Sequence, residues 1–114
     1  MRKNEIETVK LFLIDLLKIE ENQYFKNNEE KIFYLKHKVS FTPYNFTFYD
    51  EPFYIICQIN NWGIYYNDIE ETFGICKIVN NECNESVEFF DNLAPTVRKI
   101  KTAYEENNMN SLFK

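Results

Sequence analysis

The chain has 114 residues, the usual size of one domain, and 45% of them are apolar, as in ordinary globular proteins. Its formal net charge is −5, so the chain as a whole repels nucleic acid and anionic membranes and attracts basic partners. Three cysteines without a Cys-x-x-Cys pair, and a start without a clean apolar run, predict a reduced cytoplasmic protein with no signal peptide or membrane span.

Residues 5–26 are predicted to form an amphipathic helix. Their apolar side chains recur at intervals of three and four, which is the spacing of one helix face: Ile6, Val9, Leu13, Leu16, Leu17 and Tyr24. Asn4 followed by Glu7 is typical of a helix N-terminus, and we expect Asn27-Asn28 to end the helix. The polar face mixes acids with bases, whereas a membrane-surface helix needs a basic one, so this helix is expected to cover a sheet.

The middle of the chain predicts about five strands. Residues 32–42 alternate between apolar and polar side chains, with His37 on the apolar face. Further strands are predicted over residues 44–48, 53–59, 64–69 and 73–79. Connections this short require mostly antiparallel pairing, because a parallel return needs a long crossover. The strand over 53–59 lacks polar alternation at its start, which predicts a central position with both faces buried.

The end of the chain has helical spacing again. Pro95 cannot lie inside an unbroken helix, so we expect a short helix near 86–93 and a longer one from Pro95 to about Asn107. A strand over Ser86–Phe90 is the alternative, and residues 108–114 are expected to be frayed. The predicted fold is one α+β domain over residues 1–114, with an N-terminal helix, an antiparallel twisted sheet of about five strands, and one or more C-terminal helices on one face.

The acidic residues are concentrated in the middle of the chain. Residues 40–91 carry nine Asp or Glu and one base, Lys77, which gives this segment a net charge of −8. The densest acids are Asp68, Glu70 and Glu71, and the second group is Asp50 with Glu51. Carboxylates placed in this way steer a basic partner toward one surface and fix its orientation, although a solvated sheet edge is the plainer interpretation.

Trp62 is the only tryptophan and lies in a predicted turn, with Tyr65 and Tyr66 following closely. Tyrosine and tryptophan are enriched among the residues that dominate binding energy at interfaces. The alternative is that Trp62 folds back and closes one end of the core. The predicted partner-binding residues are Asp50, Glu51, Trp62, Tyr65, Tyr66, Asp68, Glu70 and Glu71.

No catalytic or metal-binding residue is predicted. His37 is the only histidine, and no sequence pattern supplies the nucleophile and orienting acid of a catalytic triad. One histidine with three scattered cysteines does not make a structural zinc site. Paired carboxylates can hydrolyse a glycoside or hold a divalent ion, but both functions need defined distances between the carboxylates. The sequence does not give these distances. We therefore expect a protein that is not an enzyme and has no cofactor.

The chain resembles the immunity proteins of bacterial contact-dependent-inhibition and other polymorphic toxin systems. The stretches that carry the resemblance are NNWGIYYNDIEETFG over 60–74 and PTVRKIKTAYEE over 95–106, in an acidic, aromatic-rich chain of this size. The resemblance implies a cytoplasmic protein that binds a cognate toxin, often a basic nuclease domain, and blocks its active site. It carries over no functional residue.

Two other functions stay open. A phage or plasmid protein that imitates the charge of nucleic acid, and so inhibits a DNA-binding enzyme, predicts carboxylates in rows at phosphate-like spacing. A small-molecule binder or enzyme predicts a cavity around His37 between helix and sheet. Direct nucleic-acid binding is not expected, because base-stacking aromatics need basic grooves beside them. The oligomeric state is open.

Overall fold

The structure is a computed structural model that describes residues 3–45 and 52–109. The strands form one antiparallel sheet in chain order, so each strand pairs with the next one along the chain. The predicted α+β fold, with an N-terminal helix, a five-stranded antiparallel sheet and a C-terminal helix, is confirmed. The elements are α1 (Lys3–Gln23), α2 (Asn28–His37), β1 (Lys38–Asn45), β2 (Pro52–Ile59), β3 (Trp62–Asn67), β4 (Thr72–Val79), β5 (Glu82–Phe90) and α3 (Leu93–Glu105).

The sheet has buried side chains on both faces. One face packs against the helices in the larger core, which includes Leu13, Leu17, Tyr34, Ile64, Phe73, Val97 and Ile100. The other face encloses a second cluster, the concave cluster, formed by Phe53, Ile55, Tyr65, Cys76, Ile78 and Cys83. The edge strands β1 and β5 approach each other, because strand twist curls the sheet around the concave cluster. The strands β2, β3 and β4 are therefore covered on both sides.

The two glycines lie in strands, whereas asparagines make the tight turns. A Cβ built on Gly74 would overlap the ring of Tyr65, so only glycine lets this ring lie against β4. Asn80 and Asn81 connect β4 to β5 with φ angles of 54° and 64°. Positive φ at both central residues is the geometry of a type I′ hairpin turn, which asparagine tolerates better than most residues.

Residues 28–37 form helix α2, which corrects the strand predicted over 32–42. The Asn27 side-chain oxygen accepts hydrogen bonds from the backbone N–H groups of Glu29 at 2.9 Å and Glu30 at 3.2 Å. Asn27 is therefore the N-cap of a second helix, α2, and does not only mark the end of α1. The helical period turns Tyr34 and Glu30 inward, and the strand contributes only from Lys38 onward.

Residues 82–90 form strand β5, so the short helix predicted near 86–93 is absent and the alternative strand is correct. Helix α3 begins at Leu93, with Pro95 in its first turn as expected. The backbone N–H of Asn108 donates to the Ala103 carbonyl at 2.8 Å, and Met109 packs against the larger core. Residues 108–109 are thus held in place, and the rest of the segment predicted to be frayed lies outside the described residues.

A buried carboxylate joins α1 to the start of α3. Glu20 is 4% exposed, and its Oε1 accepts a hydrogen bond from the backbone N–H of Leu93 at 2.7 Å. The side chain of Asn92, at the N-cap position, makes no capping hydrogen bond, so Glu20 supplies the acceptor that the helix end needs. Burial raises the pKa of Glu20 and the bond from Leu93 lowers it, with burial the larger effect.

Other polar contacts bind the helices to one another. Glu21 Oε2 accepts hydrogen bonds from the Tyr34 hydroxyl at 2.6 Å and from Lys38 Nζ at 2.7 Å. Arg98 Nε donates to Glu30 Oε2 at 3.1 Å, which connects α3 to α2. These bonds orient the helices over the apolar core that supplies most of the stability.

Changing Glu20 tests the connection between α1 and α3. Glu20→Ala leaves the Leu93 N–H without its acceptor and is expected to lower the free energy of unfolding by about 1 kcal/mol. Glu20→Gln keeps a hydrogen-bond acceptor at this position but has no carboxyl group that can titrate. Because folding raises the pKa of Glu20, the wild-type stability relative to Glu20→Gln is greatest below the ordinary pKa of 4.5 and falls as pH rises through the raised pKa.

Chemical denaturation of both proteins between about pH 4 and pH 8 measures this difference. Asp15→Asn, which removes a carboxylate at an exposed position of the same helix, is the control. A pH-independent difference between wild type and Glu20→Gln would contradict the assignment.

Gly74→Ala tests the packing inside the curled sheet. The added methyl group must displace the Tyr65 ring, so a loss of about 1–3 kcal/mol in the free energy of unfolding is expected. Gly63→Ala is the comparison, because its Cβ would meet the movable Ile78 Cδ1 at 3.0 Å. If the two substitutions lower the free energy of unfolding equally, contact with the Tyr65 ring is not what makes Gly74→Ala destabilising.

Candidate partner-binding surface

The densest acids of the chain lie in the turn between β3 and β4. We call residues 68–71 the acidic turn: Asp68 is half-exposed, and Glu70 and Glu71 are exposed. Ile69 lies among them with 59% of its side chain exposed. One apolar side chain is therefore presented to solvent with three carboxylates around it.

The turn is fixed by its own hydrogen bonds. Asn67 is buried, and its side-chain oxygen accepts from the backbone N–H of Ile69 at 3.0 Å and of Glu70 at 3.2 Å. This is an Asx turn, in which an asparagine side chain takes the place of a backbone carbonyl. Glu71 then adopts a φ of 56°, in the left-handed region, and returns the chain to β4. A turn held in this way loses little conformational entropy when it binds.

The negative charge is concentrated at this end of the sheet. The pKa of Tyr66, near the end of β3, is raised to about 12 by burial and then by the charges of Glu71 and Asp68. Exposed Asp91 lies at the same end, because Phe90 before it pairs with Phe73 just after the turn. Lys77, the only base in 40–91, pairs with the opposite end of β3. Glu82 and Glu85 lie near that opposite end as well, because they pair with Val79 and Lys77, so the sheet carries acids at both ends and its net negative charge is greater at the end of the acidic turn.

Trp62 lies away from the acidic turn. It is the first residue of β3, and the turn follows the last, so the two are about 16 Å apart along the strand. The indole is half-buried against the larger core, and Lys77 Nζ lies 5.6 Å from its ring centroid. Of the two predictions for Trp62, this packing favours the one in which it closes an end of the core.

The other two predicted aromatic anchors are buried. Tyr65 is 0% and Tyr66 is 2% exposed. Tyr65 belongs to the concave cluster, whereas Tyr66 contacts the rings of Phe73 and Phe12 on the helix side. Neither ring offers a surface to a partner, so both are withdrawn from the predicted partner-binding residues.

Asp50 and Glu51, the remaining predicted acids, lie outside the described residues. Strand β2, which follows them in the chain, begins at the same end of the sheet as the acidic turn, because Tyr54 pairs with Tyr66. Of the predicted set, the described structure brings together Asp68, Glu70 and Glu71 only.

The sequence prediction missed Ile69, because it treated this residue as the end of a strand over 64–69. The signal that could have found it is Asn67-Asp68, a pair typical of turn starts, which ends the strand two residues earlier. Phe89 is a second exposed apolar side chain near this end, since it pairs with Gly74 in β4. Its ring also contacts Tyr65, at a centroid distance of 6.4 Å.

His37 lies in the helical layer, not on the strand face where the sequence predicted it. It is half-buried at the end of α2, with ring-centroid distances of 4.7 Å to Phe33 and 6.2 Å to Tyr104. Burial, and then the charge of Lys36, lower the pKa of His37, so the imidazole is neutral at pH 7. Among the described residues, no group of three or more His, Cys, Asp or Glu is placed to hold a metal ion.

The three cysteines belong to the core. Cys76 and Cys83 contact each other across β4 and β5 with their sulfur atoms 3.1 Å apart. Burial raises the pKa of Cys76 well above its usual value and that of Cys57 to about 12. All three are buried free cysteines, as the apolar strand pattern predicts for Cys57 and Cys76.

Known proteins add no assignment to this surface. Comparison of the chain with protein-family models, with curated protein sequences and with solved structures gives no significant match in any of the three. None of the helices in the described part of the chain is both long and apolar enough to cross a bilayer. The likeness to immunity proteins stays an expectation from the character of the sequence.

Asn67→Ala tests whether the side chain of Asn67 fixes the acidic turn. The substitution removes the acceptor of two backbone N–H groups, and the free energy of unfolding is expected to fall by about 1 kcal/mol. Amide hydrogen exchange is expected to become faster at Ile69 and Glu70. Asn22→Ala, at an exposed position of α1, is the control. If Asn67→Ala lowers the free energy of unfolding no more than Asn22→Ala does, this role of Asn67 is contradicted.

Proposed function

We propose that the protein binds and neutralises a basic protein partner through the acidic turn. The partner is a bacterial toxin domain of the nuclease type, and the protein acts in the cytoplasm as its immunity protein. The observation that carries the proposal is the exposed Ile69 held among Asp68, Glu70 and Glu71 by a hydrogen-bonded turn.

The chemistry of the turn suits the substrate cleft of a nuclease. Such a cleft must hold phosphates and is therefore lined by Lys and Arg. Carboxylates of the turn can pair with these bases, while Ile69 enters an apolar recess between them. Interfaces with high affinity commonly combine a desolvated apolar centre with a polar rim. The −8 charge of residues 40–91 accelerates the approach of a basic domain.

The arrangement supports a protein inhibitor more than a nucleic-acid mimic. A mimic needs carboxylates in rows that follow a phosphate backbone. In the described structure Asp68, Glu70 and Glu71 converge on one turn with an isoleucine in the middle, and a phosphate backbone has no counterpart to that side chain. The side chains of Glu85 and Glu88 on β5 lie outside the described set.

The alternative of a small-molecule site around His37 has less support. It requires the imidazole to lie between helix and sheet, lining a cavity. In the structure His37 ends α2 and contacts two aromatic rings of the helical layer. The described contacts of His37 are those of a packed aromatic group, which favours the partner-binding proposal.

Charge reversal at the acidic turn tests the proposal. Co-expression pull-down with basic nuclease domains of bacterial toxins selects the partner, whose affinity is then measured at low and physiological salt. We expect Glu70→Lys/Glu71→Lys to weaken binding about a hundredfold, because carboxylates that contact bases are replaced by like charges. Glu82→Lys/Glu106→Lys changes the net charge equally at exposed positions away from the turn and should cost less than about threefold.

Ile69→Ser separates the apolar contact from the charges. We expect it to weaken binding about tenfold while leaving the salt dependence unchanged, since no charge is altered. Equal affinity of the partner for wild type and for Glu70→Lys/Glu71→Lys would contradict the proposal. Equal losses of affinity in this double variant and in Glu82→Lys/Glu106→Lys would contradict it as well.

A further inference from the structure

Helix α1 presents apolar side chains on its buried face and also outside that face. Leu13 and Leu17 are buried in the larger core. Outside that face, Leu11 is 67% exposed and Ile14 is 43% exposed, while Phe12 and Ile19 are exposed on another side of the helix. Isolated exposed apolar residues are common, but neighbouring ones on the outer face of a helix mark an interaction surface.

The outer face of α1 has the spacing of a helix-pairing stripe. Glu7, Leu11, Ile14 and Lys18 follow one another at intervals of four, three and four, and all four side chains are exposed. This is the a/d pattern of a heptad, which keeps its residues on one line along the helix. We call these four residues the outer seam.

The outer seam is complementary to a reversed copy of itself. In an antiparallel pair of helices, a positions lie opposite d positions of the other helix. Leu11 then faces the partner's Ile14, and Glu7 faces the partner's Lys18. A two-fold axis between residues 12 and 13 generates every contact twice, as closed dimers require. A parallel pair would instead place Glu7 against Glu7 and Lys18 against Lys18.

We propose that the protein forms a symmetric homodimer through antiparallel pairing of the outer seams of two α1 helices. A second copy is the occupant that the charges favour, because Glu7 and Lys18 are neutralised by their own counterparts. The basic partner proposed for the acidic turn would find no net negative charge on this seam. The inference concerns a different surface and does not depend on the identity of that partner.

The dimer is expected to be weak and in rapid exchange. Its centre consists of two apolar side chains from each copy, with one ion pair at each end. Interfaces of this size fall below the usual range for stable complexes. A dissociation constant of about 1–100 µM is therefore expected, within the range of standard sedimentation measurements.

Sedimentation velocity between about 1 and 500 µM tests the dimer, and charge exchange tests its arrangement. Wild type is expected to shift from monomer to dimer across this range. Glu7→Lys or Lys18→Glu alone should weaken association at least about tenfold, because symmetry places two like-charge contacts in each dimer. Glu7→Lys/Lys18→Glu together should restore the dissociation constant to within about threefold of wild type. Lys36→Glu, at an exposed site on α2, is the matched control and should have little effect.

Leu11→Gln tests the apolar centre, with Ile32→Gln as its control at a comparably exposed site on α2. Only Leu11→Gln should raise the dissociation constant, and circular dichroism verifies that both variants keep their helices. A wild type that stays monomeric at 500 µM would overturn the proposal. A dimer that is unaffected by Lys18→Glu, or one that the double exchange fails to restore, would overturn it as well.

Discussion

Burial of the central strands on both faces is the constraint on which the other features depend. Helices cover one side of β2, β3 and β4, and the curl of the sheet encloses the concave cluster on the other. Little of these strands' side-chain surface is left for a partner, so function must lie in the turns, at the strand ends and on the outer helices. The same constraint explains why Tyr65, in the middle of the most aromatic stretch, is a core residue and not a binding residue. Gly74 completes this packing, because its missing side chain is the space that the Tyr65 ring fills.

Charge then distinguishes the two ends of the sheet. At one end, Asp68, Glu70 and Glu71 are gathered in a turn that Asn67 fixes from beneath. At the other, Lys77 lies over the ring of Trp62 and pairs with Glu85 of β5, so less net negative charge is found there. A long-range field that points to one end of a domain steers an oppositely charged partner to that end. The fixed turn and the exposed Ile69 convert this attraction into a specific contact. The outer seam of α1 belongs to the helical layer and carries no net charge, which suits it to self-association.

The sequence predicted the fold class, because helical and strand periods are properties of neighbouring residues. It failed where a local pattern fits two structures: 32–37 alternates like a strand, yet it belongs to a helix that Asn27 caps by accepting from two backbone N–H groups. The predicted strand number is right only because two errors cancel: residues 38–45 form one strand, β1, where the prediction ended one strand at 42 and began another at 44, while β5 replaces a predicted helix. Burial was harder to predict, since Tyr65 is buried by the curl of the sheet and Tyr66 by the helices that cover the other face. Ile69 was missed for the opposite reason, because an apolar residue beside a strand is normally assigned to its buried face. The capping of α3 by Glu20, 73 residues away, follows from tertiary packing and has no sequence signal.

The central claim is that the acidic turn is the surface that a basic partner contacts. Amide hydrogen exchange of the protein alone and in complex with the nuclease domain that it binds tests this claim, because the exchange rates report every turn of the sheet at once. Protection is expected to increase at Ile69, Glu70 and Glu71, while the turns at Asn60-Asn61 and Asn80-Asn81 exchange as in the free protein. New protection at the two asparagine turns, with none at the acidic turn, would contradict the claim that the partner contacts the acidic turn.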